Sequence, residues 1–282
     1  MNIASLEEKL EATTGSNWTL GVSTLISPDD PVKGVNEILE TNVGFQRIEV
    51  ALAKQPGDKE RCVNQLTELR REHNLRYSVH TPFLYDDLAH PKEDVRKINV
   101  NEGRKAIDLA ARIGARHTVF HPGDLYYRRN LPSLEVFEPF RKPREEYLKN
   151  SLQSLTTLAE HASSHGVVPL IENLSPGLCD RPEEVRYLLS RLDNSKFLLD
   201  IGHANISGTL EELLELNPQY FHFHDNDGEG DDHSPLGEGT IDPSKLTNRL
   251  RDYKGERTII FELYSLEDVL ISLEVLEESL EG

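Results

Sequence analysis

Carboxylates close several of the apolar runs in this chain. Glu172, Asp200 and Glu262 each follow a short stretch of aliphatic or aromatic residues of the kind that forms a buried strand. An acidic side chain at the end of a buried run is costly unless it is paired or bound to a metal. We therefore interpret these three residues as metal ligands that cluster at one edge of a sheet.

Histidines occupy equivalent places along the chain. The imidazole and acidic residues that end the successive runs are His80, His121, Glu172, Asp200, His222, His224 and Glu262. His203 follows Asp200 by three residues, and Asp231 with His233 forms an Asp-x-His pair. A single histidine of this kind is as often a hydrogen-bonded core residue as a ligand. The ordered set, however, predicts a site for Zn²⁺, Mn²⁺ or a related divalent ion.

The two histidines of the seventh run leave an open choice of ligand. Strand side chains alternate with a period of two, so His222 and His224 point to the same face. If Asp225 is taken as the reference position, His222 is favoured as the ligand. Counting from the start of the strand favours His224 instead. Both residues are kept as candidate ligands.

Two further residues are candidates for contact with a substrate. Glu49 ends the run Arg47-Ile48-Glu49-Val50, where it would hydrogen-bond either the substrate or a neighbouring strand. Phe83 follows His80 by three residues, and an aromatic ring at that position suits the wall of a substrate pocket.

An acidic loop and three histidines receive a structural interpretation instead. The loop Asp225–Asp232 superficially resembles a calcium-binding EF-hand, but Leu236 stands at the twelfth position, where that motif needs Glu. The histidines that fall on helical or strand-start positions are expected to lie on the surface; they are His117, His161 and His165.

Short β-branched runs that alternate with amphipathic stretches supply the elements that must position these residues. The predicted strands are Thr19–Leu25, Gln46–Ala51, Arg76–His80, Arg116–His121, Val168–Glu172, Lys196–Asp200, Tyr220–His224 and Thr258–Glu262. The predicted helices between them are Val32–Glu40, Pro56–His73, Val95–Ile113, Arg144–His165, Pro182–Leu192, Thr209–Leu216, Pro243–Arg251 and Leu266–Leu280. Apolar residues recur at intervals of three and four within these stretches.

Eight such units predict a (β/α)8 TIM barrel that forms one domain over residues 1–282. Active sites of that fold lie at the C-terminal ends of the strands, where the candidate ligands fall. A doubly wound open sheet is disfavoured because no Gly-rich phosphate turn follows Val22. The first ~15 residues predict an extra helix that closes the bottom of the barrel. The longest loop, Leu125–Pro143, is a candidate lid.

Composition narrows the classes of function. The formal net charge is −18, from 31 basic and 49 acidic side chains, which disfavours nucleic acid and anionic membranes as partners. No apolar run approaches the ~18 residues of a membrane span, and the first residues do not resemble a secretory signal. Cys62 and Cys179 form no CxxC motif and are expected to be free thiols in a reducing compartment. These features favour a cytoplasmic small-molecule enzyme.

The ordered series of strand-end residues resembles the xylose isomerase-like barrels, a superfamily that includes the endonuclease IV type of AP endonuclease. The resemblance extends from the first strand to the eighth. Its most specific pieces are His121-Pro122-Gly123, Ile171-Glu172-Asn173, Leu199-Asp200-Ile201-Gly202-His203 and His233-Ser234-Pro235-Leu236-Gly237-Glu238-Gly239.

Resemblance to the sugar isomerases and epimerases of this group implies one divalent ion (Zn, Mn, Mg or Co). It would be held by Glu172, Asp200, Glu262 and one of the histidines His222 and His224. Glu172 and Glu262 would also be the acid/base pair that moves a proton next to the carbonyl, while His203 would touch the substrate.

Resemblance to the endonuclease IV branch implies a cluster of three zinc ions and a nucleic-acid partner. The positions that match its additional ligands are His80, His121, His203, Asp231 and His233. Such a cluster would polarise a phosphodiester and supply a hydroxide nucleophile. Phe83-Leu84 stands where that branch places residues that wedge into the DNA, and an aromatic ring there equally suits the wall of a sugar pocket. The segment Asn173–Gly177 departs from that branch's glycine-rich version, and the acidic net charge is unfavourable for gripping a duplex.

Three functional hypotheses follow. The first is an isomerase or epimerase of a small sugar or polyol, and the second is a metal-dependent phosphodiesterase. The third is a barrel that binds metal or sugar without turnover, which the complete ligand set disfavours. The number of ions per chain, about one or about three, separates the first two. Each hypothesis is compatible with a homo-oligomer.

Overall fold

Eight parallel strands form a closed barrel in chain order, with β1 paired to β8. The computed structural model describes residues 2–83, 87–125 and 143–281. The strands are β1 Trp18–Ser23, β2 Arg47–Ala51, β3 Arg76–His80, β4 His117–Phe120, β5 Val168–Glu172, β6 Lys196–Asp200, β7 Tyr220–Phe223 and β8 Arg257–Phe261. The predicted (β/α)8 barrel is confirmed, because every neighbouring pair of strands is parallel and the sheet closes on itself.

Helices surround the barrel. They are α1 Ile3–Thr14, α2 Pro31–Glu40, α3 Lys59–Glu72, α4 Glu93–Ile113, α5 Arg144–Ser164, α6 Pro182–Leu189, α7 Ile201–Ser207, α8 Leu210–Leu214, α9 Pro243–Leu250 and α10 Leu266–Glu281. The sequence did not predict α7, which begins directly after β6. Its seven residues include Gly202 and Asn205, which have low helix propensity, and Asp200 supplies the N-cap by accepting from the His203 amide at 2.6 Å.

Three strands, β4, β7 and β8, end one residue earlier than predicted. They end at Phe120, Phe223 and Phe261, so His121, His224 and Glu262 lie just beyond the last strand residue. Pro122 follows His121 and has no amide hydrogen to continue a ladder. Both histidines therefore belong to the loops at the barrel mouth while keeping the inward direction of their strands.

Alternation along each strand divides the barrel interior into levels. In β5 and β6 the inward residues are apolar in the middle of the strand, at Leu170 and Leu198, and acidic at its end, at Glu172 and Asp200. Leu170 and Leu198 form a buried interior cluster with Val119. The interior apolar level thus supports the acidic level from below.

Two predictions concern the base of the barrel, one for His117 and one for the extra helix α1. His117 is not a surface residue, because its Nε2 lies 2.7 Å from the Tyr220 hydroxyl inside the barrel base, and burial lowers its pKa to about 4. The extra helix α1 packs beside β1 and α10, where a Glu7 carboxylate oxygen accepts from the Leu20 amide at 2.7 Å. Lys9 ties the same helix to Glu277 of α10 at 2.6 Å.

Three further expectations concern the candidate lid, the two cysteines and membrane-spanning helices. Most of the candidate lid, with Tyr126, Tyr127, Arg128 and Arg129, lies outside the described residues. Cys62 and Cys179 are both free and buried. Within the described ranges, no helix is long and apolar enough to cross a membrane.

One buried carboxylate organises the long segment between β7 and α9. Asp225 is fully buried and accepts from the amides of Asn226 at 2.8 Å, Gly237 at 3.0 Å, and Gly239 and Ile241 at 3.1 Å. Gly239 is required there, because a Cβ at that position would lie 2.2 Å from the Asn226 carbonyl oxygen. These bonds return the segment to the barrel and present its tip, which carries two predicted ligands, to the mouth.

We predict that Asp225→Ala destabilises the fold by at least about 3 kcal/mol, because buried amides lose their acceptor. Urea denaturation followed by circular dichroism measures this loss. The control is Asp227→Ala, since Asp227 is exposed and caps only the local turn at Glu229 and Gly230. It should cost within about 1 kcal/mol. Equal losses in the two variants would contradict the organising role of Asp225.

Candidate metal centre

Four side chains from β5, β6, β7 and the residue after β8 meet at the centre of the barrel mouth. The Nδ1 atom of His222 lies 3.0 Å from a carboxylate oxygen of Glu172, 3.0 Å from one of Glu262 and 3.8 Å from one of Asp200. All four side chains are buried. An imidazole nitrogen carries at most one proton and cannot donate to three carboxylates together. We call this group the central site.

The spacing of these donors fits a bound cation. In a tetrahedral zinc site with bonds of about 2.0–2.1 Å, the donor atoms lie about 3.3 Å from one another. The His222 distances of 3.0 to 3.8 Å bracket that separation. Imidazole and carboxylate donors in this ratio suit Zn²⁺, Mn²⁺ and similar ions. The residues of the central site therefore fit the divalent ion that the sequence predicted.

His222 is held from below by a fourth buried carboxylate. Its Nε2 lies 2.9 Å from Glu49, and Glu49 also accepts from the Ser78 hydroxyl at 2.9 Å. A carboxylate behind a histidine fixes the tautomer and orients the opposite nitrogen towards a metal. Glu49, a predicted substrate contact, thus lies beneath the ligands, at 1% exposure, and its described contacts are with Ser78 and His222.

His224 takes a different place from His222. Its Nε2 lies 3.0 Å from both carboxylate oxygens of Asp200 and 3.8 Å from Asp231. The ring rests on the backbone at Gly202, where a Cβ would lie 1.9 Å from the imidazole. Of the two alternatives, the structure brings His222 to Glu172 and Glu262, and it brings His224 between the two aspartates.

A second donor group flanks the central site on the β3 and β4 side. The Nε2 atoms of His80 and His121 lie 3.2 and 3.3 Å from one oxygen of Glu172, whose other oxygen faces His222. The Nδ1 of His80 donates to the Thr81 carbonyl at 2.9 Å, so the Nε2 of the neutral ring carries a lone pair. A lone pair that faces a carboxylate is repulsive unless a proton or a cation lies between them.

A third group contains the tip of the segment between β7 and α9. One oxygen of Asp231 lies 3.2 Å from Nε2 of His203 and 3.4 Å from Nε2 of His233. The Nδ1 atoms donate to backbone carbonyls, in His203 to Asn173 at 2.9 Å and in His233 to Glu262 at 2.7 Å. Both rings are thereby turned so that Nε2 faces Asp231, again at the separation expected between two ligands of one ion.

At the barrel mouth, either protons on the histidines or bound cations can balance the charge of the buried carboxylates. Burial by itself lowers the pKa of His203, but Asp200 and Asp231 raise it to about 10. The pKa of His233 responds in the same way, and Asp231 and Glu262 raise it to about 9. Burial raises the pKa of the Glu172 carboxyl, yet His222 and His121 hold it well below its usual range. A divalent ion would replace the imidazole protons as the balancing charge.

A cavity of about 130 Å³ opens above the ligands. Phe83 forms part of its wall, and so does His203. Leu25 and Tyr264 complete the apolar wall, with the Tyr264 ring 5.0 Å from that of His233. Among the described residues that line it, none is Lys or Arg.

Sequence reasoning missed two contributors to the site. Asn173 brackets Asp200, because its side chain donates to the Asp200 carbonyl at 2.9 Å and accepts from the Asp200 amide at 2.8 Å. It stands in the quoted motif beside Glu172, which is the signal that pointed to it. Tyr264 lies two residues after Glu262, and Phe83 lies three residues after His80. An aromatic residue shortly after a candidate ligand is the sequence signal that could have identified Tyr264.

We predict that Glu49→Gln weakens Zn²⁺ binding at the central site by about 10–100-fold, because the carboxylate behind His222 is lost. Competition with a chromophoric chelator measures the affinity. Glu7→Gln, which alters a glutamate near the start of β1, is the control and should leave the affinity unchanged. An unaltered affinity in Glu49→Gln would show that His222 needs no orienting carboxylate.

The chelator-treated protein is expected to lose stability as pH rises. The folded-state pKa values of His203 and His233, about 10 and about 9, exceed the ordinary 6.5, so their stabilising contribution is complete below pH 6.5. It is lost as the pH rises through 9 and 10. Urea midpoints measured between pH 6 and 10 test this, and His203→Gln should flatten the profile. A chelator-treated wild type with the same profile as His203→Gln would contradict it.

The family model described as xylose isomerase-like TIM barrel matches residues 40–281 of this chain. Two uncharacterized proteins of Methanocaldococcus jannaschii are similar over nearly their full length. One is 29% identical over 98% of this chain and 95% of its own, and the other is 26% identical over 93% and 99%.

Solved structures give the same picture. A D-tagatose 3-epimerase-like protein is 28% identical, with a TM-score of 0.75, and the match covers 93% of this chain and 97% of that one. A protein from Thermus thermophilus, whose crystal was soaked with ZnCl2, is 25% identical, with a TM-score of 0.68, over 94% and 98% of the two chains. The chain belongs to the xylose isomerase-like TIM barrel family.

Proposed function

We propose that the chain is a divalent-metal-dependent isomerase or epimerase of a small sugar or polyol. The observation that carries this proposal is the central site, in which Glu172 and Glu262 lie on either side of His222 Nδ1, each at 3.0 Å. Two carboxylates and one ion position are what a proton shift beside a carbonyl requires. The similarity to a D-tagatose 3-epimerase-like protein supports the same class of reaction.

In the proposed reaction, the residues of the mouth have separate roles in metal binding and proton transfer. An ion held by Glu172, Asp200, His222 and Glu262 would polarise the carbonyl and hydroxyl oxygens of the sugar and acidify the adjacent C–H. Glu262 borders the cavity, and although burial opposes it, His222 keeps the pKa of Glu262 below its usual value. It is therefore ionised at neutral pH and able to accept the proton. Glu172 is the opposed carboxylate that returns it.

The cavity favours an uncharged substrate. Its described lining holds no Lys or Arg to pair with a phosphate, and the chain carries a net charge of −18. Phe83 and Tyr264 offer ring surfaces to the C–H faces of a sugar, and the His203 ring borders the same cavity. A cavity of about 130 Å³ matches a small ligand. We therefore propose a free sugar or polyol in preference to a sugar phosphate.

One specific observation favours a second candidate, a metal-dependent phosphodiesterase of the endonuclease IV kind. The two oxygens of Glu172 face two different groups of histidines, and Asp231 joins His203 and His233 next to them. Three adjacent donor groups would hold a cluster of ions that polarises a phosphodiester. The acidic net charge and the lining of the cavity weigh against this candidate.

Metal content distinguishes the two candidates. The purified chain would be loaded with Zn²⁺ or Mn²⁺, freed of excess metal and measured by elemental analysis. We expect the mouth to hold about one ion per chain for the isomerase, with Glu262→Gln losing it. About three ions at the mouth, together with cleavage of an abasic-site duplex that Glu172→Gln abolishes, would establish the phosphodiesterase instead.

We predict that Glu262→Gln lowers proton exchange at the sugar by at least about 100-fold, because the amide cannot accept a proton. Incubation of a panel of ketoses and aldoses in D2O, followed by proton NMR, detects deuterium at the carbon beside the carbonyl. Glu238→Gln is the control, since Glu238 is exposed on the loop before α9. Retention of both metal and exchange in Glu262→Gln would overturn the assignment of the site.

A further inference from the structure

A separate group of histidine and aspartate side chains lies on the outer helices. His161 is in the last turn of α5 and His165 is the C-cap of the same helix, four residues later, so their side chains lie on the same side. Asp108, on the neighbouring α4, reaches both of them. The His161, His165 and Asp108 side chains are 25%, 36% and 41% exposed, respectively. The C-terminal turn of α5 leads into the start of β5, so this group faces the bottom of the barrel, opposite the mouth.

One ring nitrogen of this group can direct its lone pair at a carboxylate. The Nδ1 of His165 lies 2.9 Å from the His161 carbonyl oxygen and 3.0 Å from the Ser164 hydroxyl oxygen. When Nδ1 donates to the carbonyl, the Nε2 of the neutral ring carries the lone pair. That Nε2 lies 3.6 Å from Asp108 Oδ1. A lone pair and a carboxylate oxygen repel each other unless a proton or a cation lies between them.

The spacing suits a cation. The Nε2 of His161 lies 2.8 Å from the same Asp108 oxygen, and the two rings have centroids 4.4 Å apart. Donor separations of 2.8 and 3.6 Å fall on either side of the ~3.3 Å expected between two ligands of tetrahedral zinc. The negative end of the α5 dipole lies at this last turn and also favours a positive charge.

We infer that Asp108, His161 and His165 form a second, surface metal site that takes Zn²⁺ or another late transition ion. Two imidazoles and one carboxylate select Zn²⁺, Ni²⁺ or Cu²⁺ over Mg²⁺ and Ca²⁺, which prefer oxygen donors. Three protein ligands leave the remaining position to water. The ion joins α4 to α5 and stabilises the folded chain through binding, with no part in the chemistry of the mouth.

The experiment counts Zn²⁺ in the full chain at pH 7.5 by elemental analysis after removal of excess metal. His165→Ala and Asp108→Asn should each bind about one ion fewer than the wild type. His73→Ala removes an exposed histidine that follows α3 as its C-cap and should bind as many ions as the wild type. The NMR signals of the His161 and His165 ring nitrogens should move on titration with Zn²⁺ and stay in place with Mg²⁺.

The outer site and the mouth are tested independently. His165→Ala should keep the activity of the wild type, while Glu262→Gln should lose the mouth's ion and keep the outer one. Equal ion counts in the wild type, His165→Ala and Asp108→Asn would overturn the inference, as would ring-nitrogen signals that do not respond to Zn²⁺. Failure of the proposed sugar chemistry would leave the inference unaffected, since the two rest on different residues.

Discussion

The mouth of the barrel depends on the burial of several carboxylates within a few ångströms of one another. Glu49, Glu172, Asp200 and Glu262 are all nearly inaccessible to solvent. Charges taken out of water in this way are very costly unless a positive partner meets them. The imidazole of His222 lies among all four, and it cannot neutralise them by donating hydrogen bonds alone. A cation at this point would balance the negative charge of these carboxylates.

Backbone carbonyls turn this charge cluster into an ordered set of ligands. His80, His203 and His233 each donate Nδ1–H to a carbonyl of the Thr81, Asn173 or Glu262 peptide. These carbonyls stand where strands end, beyond the regular pairing of the ladder, so the barrel supplies free acceptors at the level where the rings need them. The backbone carbonyls at the strand ends therefore fix the tautomers of these histidines, as outer contacts commonly do in metal sites.

The two candidate functions assign different roles to Glu172. One of its oxygens faces His222 and the other faces His80 and His121, so its two oxygens address two donor groups. A carboxylate in that position suits a proton shift at one ion, and it equally suits a bridge between ions. The surrounding cavity, with aromatic walls and no described cationic lining, supports the proposal of a neutral sugar. The candidate metal ligands and the cavity thus bear on different parts of the proposed reaction.

The sequence by itself determined the barrel and the order of its candidate ligands. The alternation of strands and helices is local, and a period of two places every strand-end residue on the inner face, so Glu172, Asp200 and Glu262 could be identified without coordinates. Only the tertiary structure decided which donors share a site. It separated His222 from His224, placed Glu49 beneath the ligands, and joined Asp231 to His203. The physical reason is distance: each of these pairings depends on barrel closure and loop return, which bring together atoms from elements remote in sequence, and no local pattern encodes those separations.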